Sequence, residues 1–239
     1  MKTRPILFST YMVKAILDGR KTQTRRIIKP QPTDIWIEDC RNQSSDLSMF
    51  DKKGRQIFWI ENSVKNGEVK PKAKPCDVLW VRETWTENGL GYYRYKADGW
   101  KDGKGPFTSM AVPERFRNKW KPSIHMPKEA SRLFLKVINV RVERLQDISP
   151  KDAIAEGILP ITAHNDSNRI LGWHDYMVNP KDGFNTYFDP RESFFSLWES
   201  IHGKESLEYN PWVWVYDFER IERVEVFNLF MEAVNGVRT

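Results

Sequence analysis

Within Leu17-Asp18-Gly19-Arg20-Lys21-Thr22-Gln23-Thr24-Arg25-Arg26, a lysine, two threonines and three arginines crowd ten consecutive positions. A threonine hydroxyl beside an amine supplies the parts of a nucleophile and its base, because the hydroxyl alone is weakly nucleophilic. The amine can serve only if desolvation or a neighbouring cation lowers its pKa from about 10.4. Arg20, Arg25 and Arg26 push in that direction. The same cations, joined by Lys29, suit a polyanion or nucleotide, and such binding weakens steeply with salt because counterions are released. A solvated, exposed basic turn is the plainer reading of the same residues.

Other stretches also carry chemistry. Arg82 and Glu83 emerge together at the end of Asp77–Trp85, the clearest strand in the chain. They read either as an exposed ion pair worth about 0–1 kcal/mol, or as a pair lining the mouth of a ligand site. His125 sits in Trp120-Lys121-Pro122-Ser123-Ile124-His125-Met126-Pro127, extended between prolines, where a lone histidine is structural or a ligand contact. Glu156 closes a helix of two turns, where a carboxylate opposes the helix dipole. That local cost marks either a functional acid or an ordinary surface glutamate.

The elements that position these residues follow from spacing. Val13, Ile16 and Leu17 give a short amphipathic helix, capped by Ser9 or Thr10 and ended at Gly19. Thr22–Ile28 reads as a strand and Pro5–Phe8 as a shorter one before it. From Arg132 to Leu145 a long strand alternates, with a slip that fits a bulge near Asn139. Ser149, Pro150 and Asp152 then form a helix start with a capping box, and Gly157 a stop. Asp189 and Pro190 open the best helix, ending at Gly203, with Phe194, Phe195, Leu197, Trp198 and Ile201 as a core-facing stripe. Asn210–Phe218 is apolar enough to be a central strand. Gln56–Glu61 is a weaker strand candidate, preceded by a turn over Asp51–Gly54. Glycines and aromatics from Glu87 to Lys121 suggest hairpin packing with one or two surfaces for stacking bases. Ile158–Phe188 has loop composition, and Ile221–Asn235 reads as a strand followed by a helix.

The 239 residues, with ten Trp, are enough for a sizeable core, and 38 basic against 32 acidic residues give a net +6 that suits a polyanionic partner. Two cysteines, Cys40 and Cys76, form no zinc-binding cluster, so no metal or cofactor is implied and a reducing cytoplasm fits. No apolar run is long enough for a membrane span, and the N-terminus has no signal-peptide pattern.

Gly19, Lys21, Thr24 and Arg26 form a Gly-x-Lys-x-x-Thr-x-Arg corner that resembles the signature of the ASCH domain family. The segments Trp120–Pro127 and Asn210–Val215 resemble phage and prophage members of that family. The resemblance covers residues 5–29, 77–85, 122–157 and 190–218. It implies one domain over 1–239, an α+β fold on a small, mixed PUA-like β-barrel with flanking helices, and insertions at about 31–75, 86–120 and 158–189. One bacterial branch hydrolyses the acetyl amide of N4-acetylcytidine with a threonine, a lysine and a glutamate. Carried over, Thr24 is the nucleophile, Lys21 its base, and Glu156 orients the lysine or shuttles the proton. The expected substrate-binding residues are Arg20, Arg26, Arg82, Glu83 and His125. The expected partner is a nucleic acid or a modified nucleoside. A non-catalytic RNA- or DNA-binding module and a ribonuclease stand as alternatives.

Overall fold

The computed structural model describes residues 1–31, 61–62, 67–68, 70–87, 93–99, 120–163, 166–178, 185–226 and 229. In chain order, β1 (Thr3–Leu7), α1 (Thr10–Leu17) and β2 (Gln23–Ile27) come first. The short strands β3 (Glu61–Asn62) and β4 (Gly67–Glu68) pair with each other, ahead of β5 (Val78–Arg82). Next are β6 (Trp85–Glu87), β7 (Tyr93–Tyr95), β8 (Phe134–Arg144) and α2 (Pro150–Ala155). The chain continues through β9 (Pro160–Ala163), β10 (Asp166–His174), β11 (Thr186–Tyr187), α3 (Pro190–His202), α4 (Lys204–Glu208) and β12 (Trp212–Ile221).

The fold is α+β, with a sheet-based core and few helices. Its main sheet has five strands in the order β1-β5-β8-β12-β2, with only the β1–β5 pair parallel. These are the five strands expected around Ile6, Ile27, Val81, Leu135 and Val215. The expected barrel closure is not present among the described residues: no ladder joins edge strands β1 and β2. A single Arg26 side-chain hydrogen bond to the Leu7 carbonyl, 2.7 Å long, bridges that gap.

β12 shows why its sequence is apolar almost throughout. Trp214, Tyr216 and Phe218 face a cluster with Phe8, Val13, Ile16 and Leu135, while Val213 and Val215 face one with Ile148, Phe194 and Trp198. The strand is buried on both sides, so neither face can be polar. The slip in β8 is a bulge: Val137 pairs with Phe218 and Asn139 with Asp217, so Ile138 has no partner and is half exposed. In α1, Ser9 accepts from the Met12 amide, and the helix buries Val13 and Ile16. Each such side chain contributes about 1.5–3 kcal/mol of apolar burial.

The stretch after Ile158 departs from its loop composition. Strands β9, β10 and β11 form a three-stranded antiparallel sheet there, anchored by the buried Trp173 in the α3 cluster. One buried indole stabilises what polar turn residues obscure in the sequence. Helix α4 was likewise not signalled, being a short amphipathic turn after Gly203. Residues 51–60 and most of 88–119 and 227–239 lie outside the described set, so the expectations placed on them have no counterpart here. Among the described residues no helix is long and apolar enough to cross a membrane.

Candidate functional site

The corner between α1 and β2 is held by backbone before any side chain acts. Gly19 turns the chain at φ +74°, and the amides of Arg20 and Lys21 both donate to the Ala15 carbonyl, at 2.9 and 3.0 Å. The Thr22 amide donates 2.9 Å to the Ala155 carbonyl at the end of α2. At the other end of α2 the Ser149 hydroxyl accepts from the Asp152 amide at 3.1 Å and donates to its carboxylate at 2.9 Å. Gly157 stops the helix at φ +85°, where a Cβ would stand 2.6 Å from Lys21 Cβ and 2.8 Å from Ala15 Cβ. Only glycine lets α2 end against the corner.

That packing overturns the exposed-turn expectation. Lys21, Thr24 and Arg25 are buried, because the C-terminal ends of two helices close over the corner. Lys21 Nζ donates to the Gln23 carbonyl at 2.7 Å, to the Glu156 carbonyl at 2.8 Å and to Glu156 Oε2 at 2.8 Å. These three contacts use every proton of an ammonium group. Burial pulls the Lys21 pKa below 10.5; Glu156 opposes it, and Arg26 and Arg25 add to it. Desolvation therefore leads, and Arg20 takes no part.

Glu156 caps α2 and is also buried. Two cations offset the dipole there: Lys21, and Arg25, whose Nη1 reaches Glu156 Oε1 at 3.1 Å. Arg25 was not among the expected site residues. Its guanidinium also donates to Gln23 Oε1 at 2.6 Å and to Glu143 Oε2 at 2.7 Å, over the Phe194 ring, and its Nε has no hydrogen-bond partner among the described residues. Gln23 in turn donates to Asp152 and Asp217, and Arg141 spans Glu143, Asp152 and Asp217. Arg25 lies opposite the buried Val215, so β2 directs a guanidinium into an apolar face.

A cavity of about 280 Å³ runs along the edge strand β2. Thr24, Arg25, Arg26 and Glu156 supply its charged and polar part. Phe8, Met12, Phe194, Leu197, Trp198 and Ile201 supply apolar wall, so part of the α3 stripe lines a cavity as well as the core. Ser9, Thr84, Ser123 and His202 also face it. Lys21 does not; it stands behind Glu156. Among the described residues, no hydrogen bond joins Lys21 to the Thr24 hydroxyl.

Of the expected substrate-binding residues, Arg26 alone faces this cavity, its guanidinium 5.1 Å above the Phe8 ring. Arg20 is spent on structure, donating to the carbonyls of Gly157 and Ile158 at 2.9 and 3.2 Å and pairing with Asp18. Arg82 donates to the Ile124 carbonyl. Glu83 is not its partner: it is buried and takes two hydrogen bonds from Arg132, at 3.0 and 3.1 Å. Burial raises the Glu83 pKa above 4.5, with Arg132 opposing. His125 is exposed in a 3-10 turn, and the histidine that faces the cavity is His202.

Among the described residues no group of three His, Cys, Asp or Glu side chains is arranged to hold a metal ion. The nearest acidic set, Glu143, Asp152 and Asp217, is occupied by guanidinium groups. The chain matches no protein-family model, curated protein or solved structure.

Proposed function

We propose that the cavity binds a modified nucleoside or its base and hydrolyses an amide on it, with Thr24 as nucleophile. The observation that carries this is the shared wall: Thr24 and Glu156 face one cavity, and Glu156 is hydrogen-bonded at 2.8 Å to a buried lysine. About 280 Å³ lies just below the ~300–1,000 Å³ typical of ligand pockets, a size for one compact ligand. The aromatic wall suits a flat heterocycle, and the ASCH-like corner points to the same chemistry. In this reading the Thr24 oxygen bonds to the acyl carbon, and its proton enters the Lys21–Glu156 pair. That pair returns a proton to the departing amine, and water then cleaves the threonyl ester, releasing the acid. Burial lowers the pKa of Lys21, the direction that a base behind Glu156 requires.

A second reading is favoured by one observation. Lys21 already donates all three ammonium protons, the arrangement of a structural cation, and the site then only binds its ligand.

The deciding experiment offers purified protein a panel of N-acylated and unmodified nucleosides, monitoring amide cleavage and binding together. Cleavage of an acylated base that Thr24→Ala abolishes while binding persists supports the hydrolase. Binding without cleavage by the unaltered protein supports the second reading. Neither binding nor cleavage across the panel sinks both.

A further inference from the structure

We propose that Arg26 and His202 on the cavity wall, with the exposed Lys29 beside them, form a phosphate subsite. The ligand's heterocycle then lies against Phe194 and Trp198. The placing of the heterocycle rests on the function proposed above; the phosphate subsite does not.

The corner carries five cations in sequence, but three are consumed inside the fold. Arg20 holds two backbone carbonyls and Asp18, Lys21 holds Glu156 and two carbonyls, and Arg25 holds Glu143, Glu156 and Gln23. Arg26 spends one terminal nitrogen on the Leu7 carbonyl, and Lys29 is exposed. Among the described residues neither pairs with a carboxylate at salt-bridge distance. The remaining basic charge of the corner is therefore that of Arg26 on the cavity wall and of Lys29, and both act on His202.

His202 reports on that place from the opposite wall. It is the last residue of α3, its ring 4.3 Å from that of Trp198, and it faces the cavity with Arg26. Partial burial of its ring, then Arg26 and Lys29, lower its imidazole pKa below the usual 6.5. The charged groups acting on the ring are both cations. Arg26 and Lys29 come second to burial in that shift, and an anion bound beside them raises the midpoint. Ser9 adds a hydroxyl on the same cavity and caps α1, whose N-terminal dipole favours negative charge. On the same cavity the Glu156 carboxylate is already matched by Lys21 and Arg25, so Arg26 is left to attract an anion. For a ligand with a heterocycle inside, the anion that fits is a phosphate ester on its sugar.

The test follows the His202 ring resonances by NMR through a pH titration. The probes are inorganic phosphate, cytidine, cytidine 5′-monophosphate and a short single-stranded oligonucleotide. Inorganic phosphate and the monophosphate are expected to raise the His202 midpoint, and cytidine to leave it in place. Lys29→Gln is expected to weaken monophosphate binding about two- to fivefold, the size of one exposed charge pair, with cytidine unaffected. A His202 midpoint that moves with the oligonucleotide but not with the monophosphate identifies the source as a nucleic-acid phosphodiester. A midpoint unmoved by any phosphate-bearing probe overturns the subsite. If inorganic phosphate moves it while neither nucleoside nor nucleotide binds, the subsite stands and the nucleoside reading falls.

Discussion

Replacing Lys21 by methionine removes the cation behind the site while keeping a side chain of similar length. The change deletes three hydrogen bonds of 2.7, 2.8 and 2.8 Å. It leaves the Gln23 and Glu156 carbonyls and Glu156 Oε2 each without that donor. Removing one partner of a buried ion pair costs about 3–5 kcal/mol. Glu156 retains Arg25 at 3.1 Å, which places the expected loss near the lower end, at about 3 kcal/mol. Glu156→Gln should cost a similar amount for a different reason. Both of its neighbours are donors, and an amide offers one oxygen and one NH2, so either orientation sets N–H against N–H. The double variant Lys21→Met, Glu156→Met leaves Arg25 with Glu143 and Gln23, so no charge is stranded. Its loss should fall short of the summed losses of Lys21→Met and Glu156→Met alone by about 2–3 kcal/mol. Urea unfolding at pH 7, followed by tryptophan fluorescence and far-UV circular dichroism, gives all the values if the slope m stays constant. A Lys21→Met loss under about 1 kcal/mol, the level of an exposed pair, or strictly additive single variants, would refute the buried coupling.

Other perturbations follow from the same geometry. Gly157→Ala puts a side chain at φ +85° and a Cβ 2.6 Å from Lys21 Cβ, so it should lower the melting temperature markedly. The backbone conformation alone costs about 1–3 kcal/mol, and an unchanged melting curve would mean α2 does not close on the corner. Asp152 is raised by burial, but hydrogen bonds from Gln23 and Ser149, then Arg141 and Arg25, hold its pKa below 3.8. Its stabilisation is therefore present above 3.8 and lost as pH falls through the lower folded value. Asp152→Asn should flatten that acid limb of the urea midpoint; an identical limb would speak against the network. Glu83 has the opposite sign: what it contributes is present below 4.5 and lost as pH rises through its higher folded value. Stability of Glu83→Gln should accordingly depend less on pH above 4.5, and an unaltered slope would count against the burial. Thr24→Ala, at a buried rather than exposed position, should cost about 1 kcal/mol and remain folded by circular dichroism.

How much of this was legible in the sequence depended on whether the cause was local. The caps at Ser9, Ser149 and Asp189, the stops at Gly19, Gly157 and Gly203, and the bulge beside Asn139 all arise within a few residues. Each is present in the structure, with Ser9 rather than Thr10 as the first cap. The five strands of the sheet were legible for the same reason, through alternation and apolar runs. Burial of the corner was not, because Ala155 and Gly157 enclose it from more than 130 positions away. Arg25 hid among neighbours of equal charge, since only the sheet register decides which arginine points inward. Arg82 and Glu83 are adjacent in sequence, yet the better-placed partner for the buried carboxylate was Arg132. Adjacent residues on a strand point to opposite faces, so adjacency itself argued against that pair.

The order of strands also bears on how the chain acquires its site during synthesis. Among the described residues β2 has a single ladder partner, β12, whose residues 213–217 pair with 23–27. Lys21 meets Glu156 only across 135 positions. A growing chain therefore carries its basic corner solvated and its β2 edge unpaired until the last strand of the sheet has emerged. Contacts of such separation form late and slowly, because loop closure must precede them. An unpaired strand edge in the meantime is a template for the wrong partner. Shortening the protein into β12 would thus remove the neighbour of both β2 and β8 at once, and the corner would revert to the open basic turn that its ten residues resemble.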